Sequence, residues 1–519
     1  MGKVNLDALI PREDFEIQEN NIPGKKKESI SIEDIKPNSY FFLNLRKPDF
    51  QRETNEWDSR KICELIKSFV EGDLIPAIIL WRSTGGYLFI IDGSHRLSAL
   101  YAWVNNDYGD GEKSKLFYDG VIPDEQIKIA EETRKLVNKT VGSYSDFELA
   151  RTRPDKVKPE IVNYLKNLGV LAIQLQWVEG DASKAEESFF KINQQAAPID
   201  KTELKLLKAR KKPNSIAARA IIRSGKGHKY WSSFENEIQQ EIQTIAEEIH
   251  KILFEPKLQT PIKTSDVPVC GKVYSAQTLT MILDFVNIVN KIDFNNKGLD
   301  DDTTGEATFK FLKKVRKIAY QLNSNHPSSL GLHPMIYFYS NDGRYRTVSF
   351  FAVVDLVMRL EQNKKINDFI EVRESFEKFL IEYDFLTKQI YEKHRDNQKS
   401  YKNLSMLFDE IINGLNNDKE IRPIIEFIVL NNKSFQYLNV HQNTSQQVTS
   451  SAKDFNTNKK SAIYINEVLP GIPKCKICNG FIHRNSISID HKQRKQDGGL
   501  GSLDNGQITH LYCNTTYKN

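Results

Sequence analysis

Hydrophobic positions change their period several times along this 519-residue chain, and the changes mark out its parts. In "DSRKICELIKSFVEG", Ile62, Leu65, Ile66 and Phe69 recur at i, i+3, i+4 and i+7, which predicts a helix. Asp58 reads as its N-cap and Gly72 as its stop. "AIILW" and "YLFII" are short apolar runs joined by "RSTGG", the pattern of a β-hairpin. "SHRLSALYAWV" then opens a helix with Leu97, Leu100, Tyr101 and Val104 on one face. "VLAIQLQWV" (170–178) predicts a strand and "ASKAEESFFKINQQ" a helix.

From about 201 to 440 the period is mostly helical. "TELKLLKARKK", "ENEIQQEIQTIAEEIHKILF", "SAQTLTMILDFVNIVNKI", "TFKFLKKVRKIAYQL", "TVSFFAVVDLVMRLEQ" and "ESFEKFLIEYDFLTKQIYEKH" are the predicted helices. No fixed-period repeat is present, which argues against a solenoid. The stretch 441–462 is Gln, Asn, Ser and Thr with almost no apolar content, and reads as a flexible linker. The expected fold class is therefore α+β multidomain. It comprises a polar, loosely ordered lead-in (1–40), an α/β domain (41–210), a mostly helical domain (211–440), the linker (441–462) and a small C-terminal unit (463–519).

Composition narrows the class. The chain is 39% hydrophobic and 27% charged, as in soluble globular proteins. No apolar run reaches the roughly 18 residues of a membrane span; "TLTMILDFVNIVNKIDF" is interrupted by Asp284, Asn287 and Asn290. "MGKVNLDALIPREDFEI" has no apolar core behind its lysine, so no secretory signal is expected. Two cysteines, Cys63 and Cys270, are isolated, while Cys475, Cys478 and Cys513 cluster, which fits a reducing cytoplasm and a metal site. Net charge is only +5, but Lys201 to Lys229 holds ten Lys or Arg against Glu203, and the 49 residues from Gly471 hold seven against three Asp. Such local excess suits a polyanion, or a solvated helix face.

The C-terminal unit carries the most specific pattern. "CKIC" and "HLYC" supply Cys475, Cys478, His510 and Cys513, the four N/S ligands of a closed tetrahedral zinc site. A unit this small needs such a staple. By itself that pattern describes a zinc ribbon without chemistry. Between the knuckles, "SISID" is strand-like and delivers Asp490 and His491, "QDGGLGSLDN" is Gly-rich, and "NGQITHLYCNTTYK" reads as a short helix reached through Asn505. This "DH…GG…N…CN" arrangement over about 472–518 resembles the HNH endonuclease family and its ββα-metal unit. The resemblance implies that His491 is the general base, that Asp490 and Asn514 hold a catalytic Mg²⁺ or Mn²⁺, and that Asn505 orients the loop carrying His491. The family often has Lys three residues after the final Asn; here that position is Tyr517, with Lys518 next, and neither is given a role.

A second constellation lies near the other end. "FQRETNEW" (50–57), "IIDGSHRLSALYAW" (90–103) and "SFFKINQQAAPIDKTEL" resemble the N-terminal domain of GmrSD-type restriction enzymes, which has a ParB/sulfiredoxin-like fold and a DGQxR motif. A strand–glycine–helix turn presents free backbone N–H groups and a helix dipole to an anion. The candidate nucleotide- or phosphate-binding residues are Gln51, Arg52, Asp92, Gly93, His95, Arg96 and Asn193. Ser94 stands where many relatives carry Gln, which counts against hydrolysis more than against binding. The plainer reading is a helix-entry turn with Arg96 in a surface ion pair. "SSLGLHPMIYFYSNDGRYR" (328–346) carries no legible mechanism, and His333 before Pro334 reads as a buried turn.

The resemblances together imply a cytoplasmic HNH endonuclease hydrolysing phosphodiesters of double-stranded, phage or modified DNA. It would use Zn²⁺ for structure and Mg²⁺ or Mn²⁺ for catalysis, and an NTP- or modification-sensing domain would control it. A single site of this kind nicks, so double-strand cutting would call for a homo-oligomer. The alternative is a ParB-like DNA-binding or NTPase regulator whose zinc unit only binds DNA.

Overall fold

The computed structural model describes residues 3–13, 25–48, 51, 54, 57–117, 122, 124–196, 209, 211–225, 231, 234–272, 278–293, 298–417, 419–441 and 455–518. The chain divides into two compact units, Met1–Lys208 and Ala209–Asn519, each with its own core.

The first unit is built on a mixed six-stranded sheet. Its strands are β1 (Arg12–Glu13), β2 (Ser29–Ile30), β3 (Leu45–Pro48), β4 (Ile78–Arg82), β5 (Leu88–Asp92) and β6 (Ile173–Val178), in the order β1-β3-β5-β4-β6-β2. β4 and β5 form the expected antiparallel hairpin, and β6 runs parallel to β4. Ile78, Leu80 and Ile90 join the main core with Ile62, Ile66 and Phe69 of α1 (Ser59–Glu71) and Leu97 and Leu100 of α2 (Ser94–Val104). Trp81, Phe89 and Ile91 face the other way, where Ala185 and Phe189 of α3 (Ala182–Ala196) cover them. Burial on both faces explains why these strands read as unbroken apolar runs. Asp58 caps α1 by accepting from the Arg60 and Lys61 N–H groups, and Gly72 ends it at φ +81°.

The described parts of the amino-terminal segment, 3–13 and 25–40, are not loose. Val4, Leu6, Leu9 and Ile10 are buried, and β1 and β2 extend the sheet at its two edges. A buried charge cluster holds the segment. Asp7 Oδ1 accepts from Lys47 Nζ (2.5 Å), Arg12 Nη2 (2.8 Å) and the Thr54 N–H (2.9 Å). Four apolar residues spread among charges give no periodic signal, so polarity hid their burial.

The second unit is helical. α4 (Pro213–Ile222), α5 (Asn236–Phe254), α6 (Thr278–Asn290) and α7 (Glu306–Leu322) pack together, and α8 (Thr347–Gln362) is joined by α9 (Arg373–Glu382), α10 (Asp384–His394) and α11 (Asn397–Leu415). The period over 374–394 suggests one helix; the chain instead breaks at Tyr383, where Arg346 grips the Asp384 carboxylate. The basic segment from Lys201 is described only in part. Its α4 is core, with Arg219 buried alongside Ile216 and Ile221, so this helix is not a solvated basic face. Among the described residues, no helix is long and apolar enough to cross a membrane.

Part of the expected linker, 442–454, lies outside the described residues. From Thr457 the chain is helix α12 (Thr457–Val468), capped by Asn456, and Ser461 is buried where its Oγ accepts from the Ile262 N–H at 3.1 Å. A hairpin follows, β7 (Ser488–His491) antiparallel to β8 (Gly506–Thr509), and then one π-helical turn, Cys513–Tyr517. The expected helix over "NGQITHLYCNTTYK" is thus half strand, because "GQIT" pairs with "SIDH".

Candidate functional site

Three groups of sequence-predicted residues can be placed. At the end of β5, Asp92 is followed by Gly93 at φ +104°, and α2 begins at Ser94. A Cβ at Gly93 would lie 2.9 Å from Ile78 Cγ1 and 3.1 Å from Arg96, so the turn needs glycine for space as well as for φ. Arg96 folds back over it, donating to Asp92 Oδ2 (2.7 Å) and to the Ala77 carbonyl (3.1 Å). His95 stacks on Trp57, with ring centroids 5.5 Å apart. Gln51 is buried and its backbone carbonyl accepts from Arg12. Among the described residues, Gln51 Oε1 and Arg96 Nε are buried without a hydrogen-bond partner. Arg52 lies outside the described residues; Asn193 is on α3, its side chain outside them.

Cys475, Cys478, His510 and Cys513 converge. Their ligand atoms lie within 4.8 Å of one another and all four residues are buried. A tetrahedral zinc with sulfur ligands has vertices roughly 3.8 Å apart, so the spacing suits that ion. His510 Nε2 lies 3.0 Å from the Phe481 carbonyl, and its Nδ1 faces Cys478 Sγ at 3.3 Å. Donation from Nε2 would fix the tautomer with Nδ1 as the ligand nitrogen, the usual outer-sphere arrangement for a metal-bound histidine. The Ile477 and His510 N–H groups both donate to Cys475 Sγ at 3.4 Å. Hydrogen bonds from the Cys478 and Cys513 thiols hold Cys475 far below the usual thiol range. Three crowded thiols sharing protons are poised to exchange them for a cation. The buried Cys3His cluster is compatible with structural zinc.

The hairpin inside this frame carries the third group. Asp490, paired across with Gln507, turns into the unit; its Oδ2 accepts from Gln507 Nε2 (2.8 Å) and Lys518 Nζ (2.5 Å). Burial alone would raise the Asp490 pKa, but these two hydrogen bonds and the Lys518 charge hold it below the usual carboxylate range. His491 ends β7, half-buried, and its imidazole has no partner among the described residues. Asn505 closes the loop: its amide nitrogen donates to the Leu500 and Gln493 carbonyls (2.8 and 3.2 Å), and its oxygen accepts from the Gln493 N–H (2.8 Å). Asn514 donates to Ser488 Oγ at 2.8 Å, on the strand that carries Asp490.

Lys518 was missed by sequence reasoning. The Lys518 N–H reaches back five residues to the Cys513 carbonyl, the mark of a π-turn. That turn absorbs one extra residue and brings Lys518, not Tyr517, onto Asp490 and the His491 carbonyl (2.7 Å).

The unread segment 328–346 is the seat of this unit. Ser329 Oγ meets Ser486 Oγ at 3.0 Å and the Ser329 carbonyl accepts from the Tyr512 N–H. A Cβ on Gly331, at φ +61°, would lie 2.5 Å from His510 Cδ2. His333 is buried at the start of a short helix, Pro334–Tyr337, and its ring meets His483 edge-on. Glycine and serine make this close approach possible and carry no periodic signal.

Residues 32–210 match the family model of the GmrSD restriction endonuclease N-terminal domain. Searches of the curated proteins and of the solved structures returned no match.

Proposed function

We propose that this chain is a metal-dependent DNA endonuclease of the HNH type, controlled through its N-terminal ParB-like domain by a nucleotide or by DNA modification, and serving anti-phage restriction. The observation that carries it is the hairpin. Asp490, His491, Asn505 and Asn514 sit on a β–β–helix unit inside a Cys3His frame. The match of residues 32–210 to a restriction endonuclease domain supports the same reading and DNA as substrate.

His491 would take the proton of the attacking water, its imidazole having no partner among the described residues. Mg²⁺ or Mn²⁺, held by Asp490 and Asn514, would supply charge stabilisation at the phosphate. Lys518 keeps Asp490 ionised, and Asn505 fixes the loop that follows His491. At the other site, Gly93, the start of α2 and Arg96 would receive a phosphate, with Asp92 orienting Arg96.

The test is cleavage of supercoiled and modified DNA with Mg²⁺ or Mn²⁺, with and without nucleotides. His491→Ala should abolish cutting while zinc content is retained. Unchanged cutting removes His491 from the mechanism. A DNA-binding regulator without cleavage is the second reading, since Lys518 already pairs with the one buried carboxylate of the hairpin. It predicts metal-dependent DNA retention and no cutting by the unaltered protein.

A further inference from the structure

Arg373 lies on α9 of the helical body, over a hundred residues from the knuckles, and its side chain is fully buried. Its guanidinium donates to the Leu330 carbonyl (2.5 Å), the Gly331 carbonyl (3.0 Å) and Glu377 Oε1 (2.8 Å), and Nη1 lies 3.2 Å from His510 Nδ1. Glu377, also buried, accepts in addition from the Tyr337 hydroxyl (3.0 Å) and from the Phe481 N–H of the knuckle (2.8 Å). A Cβ at Gly480 would lie 2.3 Å from Arg373 Nε, so the knuckle chain is drawn tightly onto this side chain.

Charge explains the arrangement. A zinc ion held by three thiolates and one imidazole would carry a net −1, and the four residues that would hold it are buried. An uncompensated buried charge is strongly unfavourable. Glu377 shares its charge with the Tyr337 hydroxyl and the Phe481 N–H as well as with Arg373 Nε, and the Nη1 edge of the guanidinium lies against the His510 ligand. Its rigid fork can do this while holding two carbonyls of the seat.

We propose that Arg373 is the outer-sphere positioning residue of the zinc centre, so that the metal clamps the C-terminal unit onto the helical body. The proposal rests on the zinc reading of the Cys3His cluster, but not on cleavage. It makes segment 328–337 and α9 part of the metal site in energetic terms.

The experiment uses full-length protein loaded with one zinc per chain, and follows zinc transfer to a chromophoric chelator and the charge-transfer band of the cobalt-substituted form. Arg373→Met leaves Glu377 buried alone and risks misfolding, so Arg373→Met/Glu377→Gln removes both charges. A plain structural ion pair predicts zinc affinity equal to wild type in that double variant. Here affinity should fall roughly 10- to 100-fold, with an altered cobalt band, while the fold at saturating zinc is kept. Arg373→Lys should fall between. Wild-type affinity in the folded double variant overturns the proposal. Wild-type protein that binds no zinc overturns the zinc reading itself, and this proposal with it. As a measurement without variants, chelation should raise hydrogen exchange in 328–337 and 373–382. Unchanged protection there also overturns it.

Discussion

Each compact unit fastens one terminal segment with buried charge, and the two do it differently. In the first, Asp7 of the amino-terminal segment meets Lys47 of β3, with Arg12 closing the cluster; Lys47 is 0% exposed. Every charge there belongs to protein, and the attachment is complete once the carboxylate is ionised. In the second, Arg373 and Glu377 of the body meet a knuckle whose own donors are three thiols and an imidazole. That attachment calls for a cation the chain cannot supply. The first fastening should therefore answer to pH and the second to metal.

The largest expected effect tests the second. Binding a structural zinc is worth on the order of 10 kcal/mol of folding free energy. Chelation should expose 472–518 to protease while Met1–Lys208 stays resistant, and mass spectrometry of the fragments reads both at once. Equal loss of both units would end the contrast.

The first fastening is next. Asp7→Asn leaves Lys47 buried beside an uncharged amide and should cost about 3–5 kcal/mol, measured as a lower urea midpoint of the first unit with the second unchanged. Burial by itself would raise the Asp7 pKa, yet Arg12 and Lys47 hold it well below the usual carboxylate range. A depressed folded pKa gives stability that is full above about pH 4, the unfolded value, and is lost as pH falls through the folded one. The Asn variant should lack this acid dependence. Chelator should have no influence on it.

These two fastenings also show what can be read from a sequence. The knuckles were legible because ligand spacing repeats as Cys-x-x-Cys and His-x-x-Cys. The α1 helix was legible because its apolar period and caps are local. Asp7, Lys47, Arg373 and Glu377 were not, since a buried ion pair joins residues far apart in the chain and each looks like an ordinary surface charge. Gly331 and Gly480 were silent for a related reason: what they provide is an absent side chain. Lys518 was hidden by a π-turn, which moves a residue by one place without changing the letters.

Lys518 gives a smaller, sharper test. Lys518→Met removes the cation and hydrogen bond that hold Asp490 down, leaving Gln507 and burial. The Asp490 carboxyl should move back up, and the acid limb of the cleavage–pH profile should shift to higher pH, with the zinc content unchanged. An unshifted limb would mean that Asp490 ionisation does not govern the rate.

The smallest stability effect belongs to Arg96. Its pair with Asp92 bridges the glycine turn from the end of β5 into α2, with Arg96 mostly buried and Asp92 about a third exposed. A partly exposed pair of this kind is worth about 0.2–1 kcal/mol, and the hydrogen bond to the Ala77 carbonyl adds about 1 kcal/mol. Arg96→Ala should therefore lower the urea midpoint far less than Asp7→Asn. If the turn is only a helix entry, that is all it does. If it receives phosphate, the same variant loses nucleotide control of cleavage, because the guanidinium that would meet the anion is gone while Gly93 and the start of α2 remain. Titrating nucleotide against cleavage in wild type and variant, beside the urea curves, separates the two. A nucleotide response kept intact at slightly reduced stability would make the Asp92–Arg96 turn a structural device, and would move the control of cleavage elsewhere in the chain.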